Sequence, residues 1–128
     1  MEQLKDRLER GISLTKFLLH IEGLVVLVLS IYFYFHLQFS WVAFLILLLA
    51  PDLSALGYLK NVKIGSVLYN LFHTYTIPAV MMIFGLVMNN SLSLMMSLIW
   101  LAHIGMDRMF GYGLKYPTTF HDTHLNRV

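Results

Sequence analysis

Apolar residues in this chain fall in long uninterrupted runs rather than in stripes. No Asp, Glu, Lys or Arg occurs between Glu22 and Asp52, or between Lys63 and Asp107. A bilayer core needs about 20 mostly apolar residues per helix, because backbone N–H and C=O groups in hydrocarbon must bond within their own segment. Four stretches meet that need, over residues 17–37, 39–59, 64–88 and 92–110. The connections around Gln38, Asn61 and Asn89-Asn90 are a few residues each, so neighbouring helices pack antiparallel. The pattern predicts an all-α polytopic membrane protein: one domain over 1–128 with four antiparallel transmembrane helices. A charged helix start at 1–16 precedes them, and an aromatic cytoplasmic interfacial tail at 111–128 follows.

Composition agrees and narrows the chemistry. The 128 residues are 58% hydrophobic and 12% charged, about half the charge of an ordinary soluble domain. The absence of cysteine excludes disulfide frameworks, thiolate metal sites and cysteine nucleophiles. The opening Met1-Glu2-Gln3-Leu4-Lys5-Asp6-Arg7 carries both signs of charge and lacks the pattern of a cleaved signal peptide. All nine Lys and Arg fall in the N-terminal segment, the middle loop around Lys60 and Lys63, or the region from Arg108 onward. These regions share one side of a four-span chain, so the positive-inside rule places both termini in the cytoplasm. The formal net charge of +2 then reflects topology and attraction to membrane lipids, not nucleic-acid binding.

Ionisable residues inside the spans are the candidate chemistry. Taking 1.5 Å of rise per residue, Glu22 lies about 9 Å inward of Lys16, Asp52 about 12 Å inward of Lys60, and His73 about 15 Å inward of Lys63. The last span adds His103 and Asp107 near the same rim. An unpaired charge at a helix centre costs about 2.5–3.5 kcal/mol on insertion scales, so these five residues are expected to face one interior cavity. Their available partners are one another, Arg108, a cation or protons. His103 and Asp107 are i,i+4 and share a helix face. Ser66, Asn70 and His73 form a polar stripe on the third span, and Pro51 should loosen the second span beside Asp52. His20 points away from Glu22 and reaches the headgroups. In the tail, His121, Asp122 and His124 can fold back as a lid or as extra ligands.

The blocks Pro51-Asp52-Leu53-Ser54, Tyr69-Asn70-Leu71-Phe72-His73, and His103-Ile104-Gly105-Met106-Asp107-Arg108 leading to Gly111-Tyr112-Gly113-Leu114-Lys115-Tyr116-Pro117 resemble the small bacterial membrane proteins catalogued as domain of unknown function 4260. The resemblance covers Glu22 to Leu125 and implies residence in a bacterial inner membrane. It carries Glu22, Asp52, His73, His103, Asp107, Arg108 and Thr123-His124-Leu125 onto these positions and brings no activity with it. Asn126 departs from the glycine expected after the last His-Leu pair. A looser similarity is to integral-membrane metal-dependent hydrolases.

Two functions from different classes fit these residues. In one, His73, His103 and Asp107 ligate a divalent metal such as zinc in a hydrolase acting on a lipid-like substrate, and the catalytic carboxylates are Asp52, as a fourth ligand or the partner that fixes a histidine tautomer, and Glu22, as general acid/base. In the other, the cluster carries protons, an ion or a small ligand without bond chemistry, and four spans then require a homo-oligomer. A b-type haem between His73 and His103 is a third arrangement, opposed by the three carboxylates.

Overall fold

A computed structural model describes residues 1–128, of which 11–13 contribute only their helical backbone. The described residues form helices and turns, with one isolated bridge between Lys115 and Thr123. Helix α1 runs Glu2–His36, α2 Trp41–Leu47, α3 Val62–His73, α4 Thr76–Val87 and α5 Ser91–Phe110. A 3₁₀ segment at Ala50–Leu59 and a short 3₁₀ turn at His124–Asn126 complete the chain. Three helical stretches, Glu2–His36, Trp41–Leu59 and Val62–Val87, are long and apolar enough to cross a membrane. Helix α5, at 20 residues, is long enough but is diluted by its serines and by His103, Asp107 and Arg108. It is also the most enclosed helix, with Ser97, Ile99, Ala102, His103, Ile104, Asp107 and Arg108 all buried. Together these elements fit an integral membrane protein built around a polar central helix.

Turns between the elements follow their sequence. Ser40, Asn61 and Asn90 cap α2, α3 and α5 by accepting from the amides of Ala43, Ile64 and Ser93 at 3.2, 2.8 and 3.0 Å, the role short polar side chains take at helix starts. Gly111 ends α5 with φ +94°, a left-handed conformation that glycine adopts without steric cost.

Two spans depart from continuous α-helix. In the second, Pro51 removes a donor and the amide of Asp52 bonds three residues back to Leu49 at 3.0 Å, starting a ten-residue 3₁₀ run. Three residues per turn then sort the side chains by threes. Leu53, Leu56 and Leu59 are exposed at 67%, 62% and 86%, while Asp52 and Ala55 line an open cavity on the other side. The third span is broken within its length: Thr74 is extended, with φ −93° and ψ 145°. Pro78 is the cause, since a proline ring clashes with the carbonyl four residues earlier, which here is Thr74.

Helices α1 and α4 both pack on α5, and α3 packs on the 3₁₀ segment. The α1–α5 crossing is set by Gly23 and Gly105. A Cβ at Gly105 would lie 2.8 Å from the Gly23 carbonyl and 2.8 Å from the Leu27 amide. At the opposite end of the molecule from the tail, Tyr34 and Phe44 meet Leu98, Ile99 and Ala102 in the main apolar core.

Candidate functional site

The break in the third span delivers His73 as the last residue of α3, where the final carbonyls of a helix lack amide partners. Helix α5 supplies them. Trp100 Nε1 donates to the Phe72 carbonyl at 2.6 Å and Arg108 Nη2 to the His73 carbonyl at 2.7 Å. The other arm of Arg108, Nη1, donates to the Tyr112 carbonyl at 2.7 Å, fastening the tail to the same point. Arg108 therefore serves carbonyls rather than pairing with the carboxylates.

The His73 ring lies flat on Tyr69, with centroids 3.7 Å apart, and its Nδ1 donates to the Tyr69 carbonyl at 2.8 Å. A carbonyl only accepts, so in the neutral ring Nδ1 carries the hydrogen and Nε2 presents a lone pair. That lone pair points at three other polar atoms: His103 Nε2 at 3.1 Å, Asp52 Oδ1 at 3.2 Å and Asp107 Oδ2 at 3.4 Å. His103 Nε2 in turn lies 3.2 Å from each of the same two carboxylate oxygens. Both histidines are fully buried, and the Asp107 side chain is 10% exposed. Asp52 is 49% exposed and faces a cavity of about 410 Å³. His103 Nδ1 is buried without a hydrogen-bond partner, so that ring interacts through its Nε2 edge.

Four donor atoms thus converge, all within 4.8 Å of one another. Neutral histidines bring at most one hydrogen into this centre, from His103 Nε2, against one imidazole lone pair and two carboxylates. An ion bound tetrahedrally with bonds of about 2.0–2.1 Å has ligand atoms about 3.3–3.4 Å apart. The His–His and His–Asp separations of 3.1–3.4 Å are that size, so Asp52, His73, His103 and Asp107 form a group that can hold a metal ion. The same closeness leaves no room for a porphyrin between the histidines, and the haem arrangement is set aside.

Glu22 does not join the group, which corrects the expectation of a five-residue cluster. Gly23 faces α5, with a Cβ there lying 2.5 Å from Arg108 Cβ, so its neighbour is turned about 100° off the contact and is exposed. Glu22 is within electrostatic reach of Tyr75 but contributes no ligand atom. His20 is corrected as well: its Nδ1 donates to the Met109 carbonyl at 2.7 Å, near the end of α5, rather than reaching headgroups.

The tail folds back over the cavity, yet none of its three candidate ligands enters the group. His124 Nδ1 accepts from the Leu114 amide at 2.8 Å, and burial followed by nearby Arg108 holds its pKa below the usual histidine value. Asp122 is bound by Arg127 at 2.8 Å and by Thr118, and the former holds its pKa near 2. His121 is exposed. What the tail does bring is Lys115, buried in the cavity wall beside Asp52 and Asp107. Asn70 sets it there, accepting from the Lys115 amide at 2.6 Å and donating to its carbonyl at 2.8 Å. Helical spacing carries no sign of Lys115, because it lies beyond the last span; Asn70 in the polar stripe was the available hint.

No curated protein and no solved structure matches this chain. A family model matches residues 16–128, nearly the whole of the bundle and tail just described, and the chain belongs to that family, the domain of unknown function DUF4260.

Proposed function

We propose that Asp52, His73, His103 and Asp107 hold a divalent transition metal, zinc by the character of the donors, and that the protein is a membrane hydrolase acting on a lipid-like substrate. The convergence of two carboxylates and two imidazole edges on one point carries this reading. Imidazole with carboxylate and no thiolate suits zinc, manganese or iron better than calcium or Cu(I). The three enclosed residues, His73, His103 and Asp107, are the permanent ligands, and Asp52 on the cavity side is the exchangeable one. A divalent ion there supplies Lewis acidity and brings bound water to a pKa of about 7. Asp52 takes the proton of the attacking water as its oxygen bonds to the ester carbon or phosphorus, and returns it to the oxygen of the leaving alcohol as that ester bond breaks.

A lipid-like substrate follows from the surroundings. The group lies among membrane-spanning elements, and residues next to it, Pro51 and Phe72, line a separate apolar cavity of about 160 Å³ with Trp100 and Ile99. Both termini lie on the cytoplasmic face of a bacterial inner membrane in this reading, since every Lys and Arg falls in segments that share one side of a four-span chain, and that side faces the cytoplasm by the positive-inside rule.

Metal analysis of the protein purified in detergent is the direct test. About one equivalent of transition metal is expected in the wild type and none in His103→Ala. Asp52→Asn should keep the metal and lose hydrolysis across a panel of ester and phosphoester lipids. A wild type that is metal-free and cannot be loaded with zinc would overturn the proposal.

A further inference from the structure

Lys115 presents a problem that the metal reading alone does not solve. Its residue is 5% exposed, and its ammonium lies 3.7 Å from the centroid of the Phe120 ring and 4.7 Å from that of Tyr69. One hydrogen bond leaves it, to the Phe120 carbonyl at 2.6 Å, whereas an ammonium has three donors. Among the described residues no carboxylate stands within ion-pair distance of it. Asp107 and Asp52 act on it electrostatically from beyond that distance, so once their charge is cancelled the buried cation is left without a counterion, which is costly.

The cavity that Lys115 lines also exposes Asp52 and Asp107. A divalent ion on the four ligands cancels the two carboxylates, and Lys115 then leaves the cavity positive. We infer that Lys115 is the anion-recognition residue of this cavity and receives a phosphate-type oxyanion of the ligand, opposite the His-Asp group. The inference rests on the metal reading and narrows its substrate class to phosphate-bearing amphiphiles. Two free donors on one ammonium suit two oxygens of a tetrahedral oxyanion, and the flanking rings of Tyr69 and Phe120 fix the ammonium's position.

The test is equilibrium binding to the full protein in neutral detergent, with inorganic phosphate, phosphatidic acid or diacylglycerol as probe and metal content measured in the same samples. Wild type should bind phosphatidic acid at least tenfold more tightly than diacylglycerol, a comparison that needs no variant. Lys115→Met should weaken phosphatidic acid binding by about 10- to 100-fold, the value of a hydrogen bond to a charged group, with metal content unchanged. Lys115→Arg keeps the charge and donors on a longer, planar group, so it should bind phosphatidic acid more tightly than Lys115→Met does. Inorganic phosphate bound in a Lys115-dependent way identifies the oxyanion itself as the ligand; dependence seen with phosphatidic acid alone identifies the lipid headgroup. Either supports the inference. Equal binding of phosphatidic acid and diacylglycerol by wild type, or wild-type affinity in Lys115→Met, overturns it while leaving the metal reading intact. Metal-free wild type that still discriminates through Lys115 defeats the metal reading alone.

Discussion

Replacing Gly105 by alanine should destabilise the protein, and the sign of the effect is diagnostic. In a helix free of neighbours, Gly→Ala stabilises by about 1 kcal/mol. Here the new methyl would lie 2.8 Å from the Gly23 carbonyl, 2.8 Å from the Leu27 amide and 3.2 Å from Val26 Cγ1. Non-bonded heavy atoms settle at about 3.5 Å or beyond, so the helices must part by about 0.7 Å. Two of the three obstacles are backbone and have no rotamer to change. Overpacking of this kind costs about 1–3 kcal/mol, and a thermal melt in detergent should drop by about 5–10 °C for a domain of this size. The site should register the change too, because Gly105 lies between His103 and Asp107 on α5, and these converge with His73 and Asp52 to within 4.8 Å. Zinc affinity should therefore fall together with the melting temperature. Gly23→Ala relieves its clash through the same separation, so the double variant should lose much less than the sum of the two singles. A Gly105→Ala protein as stable as wild type, or a strictly additive pair, would refute the close crossing and with it the way α5 is positioned.

Two further outcomes follow from the same geometry. Arg108→Lys keeps the charge but cannot serve both the His73 and Tyr112 carbonyls; losing one such bond should cost about 1.5–3 kcal/mol, read as a lower melting temperature with weakened zinc binding. The His124 pKa is depressed in the folded tail, so its contribution to closure is complete above the ordinary value of about 6.5 and is lost as pH falls through the lower folded value. The protection factor of the Leu114 amide, its exchange rate corrected for the intrinsic pH dependence, should accordingly fall on acidification below about pH 6.5, and His124→Gln should remove most of that loss.

The spans were legible because hydrocarbon demands length and apolarity, two properties a linear pattern displays directly. So were Asp52, His73, His103 and Asp107, whose depths can be counted from the nearest Lys or Arg. Glu22 shows the limit of that counting. Depth is one coordinate and azimuth is another, and the azimuth of α1 is set by Gly23 pressing on α5, a contact that no periodicity in α1 reveals. The break after His73 had a readable sign in Pro78, whose ring excludes the Thr74 carbonyl, but the span is apolar throughout and its hydropathy runs on without interruption. The 3₁₀ run after Pro51 is an extension of the expected loosening; its length reflects the threefold sorting of Leu53, Leu56 and Leu59 outward and Asp52 inward. Lys115 was hidden because tail residues obtain their places from long-range partners such as Asn70.

The enclosed position and diluted hydropathy of α5 bear on how the molecule is assembled. The three earlier stretches are long and apolar enough to cross a bilayer, while α5 carries the imidazole, carboxylate, guanidinium and indole N–H that the others must receive. Those groups are met by docking: Trp100 and one arm of Arg108 donate to carbonyls at the open end of α3, and His103 and Asp107 converge with each other, Asp52 and His73. In chain order the polar centre is complete only once α5 is added: residues 1–90 carry Asp52 and His73 but neither His103 nor Asp107.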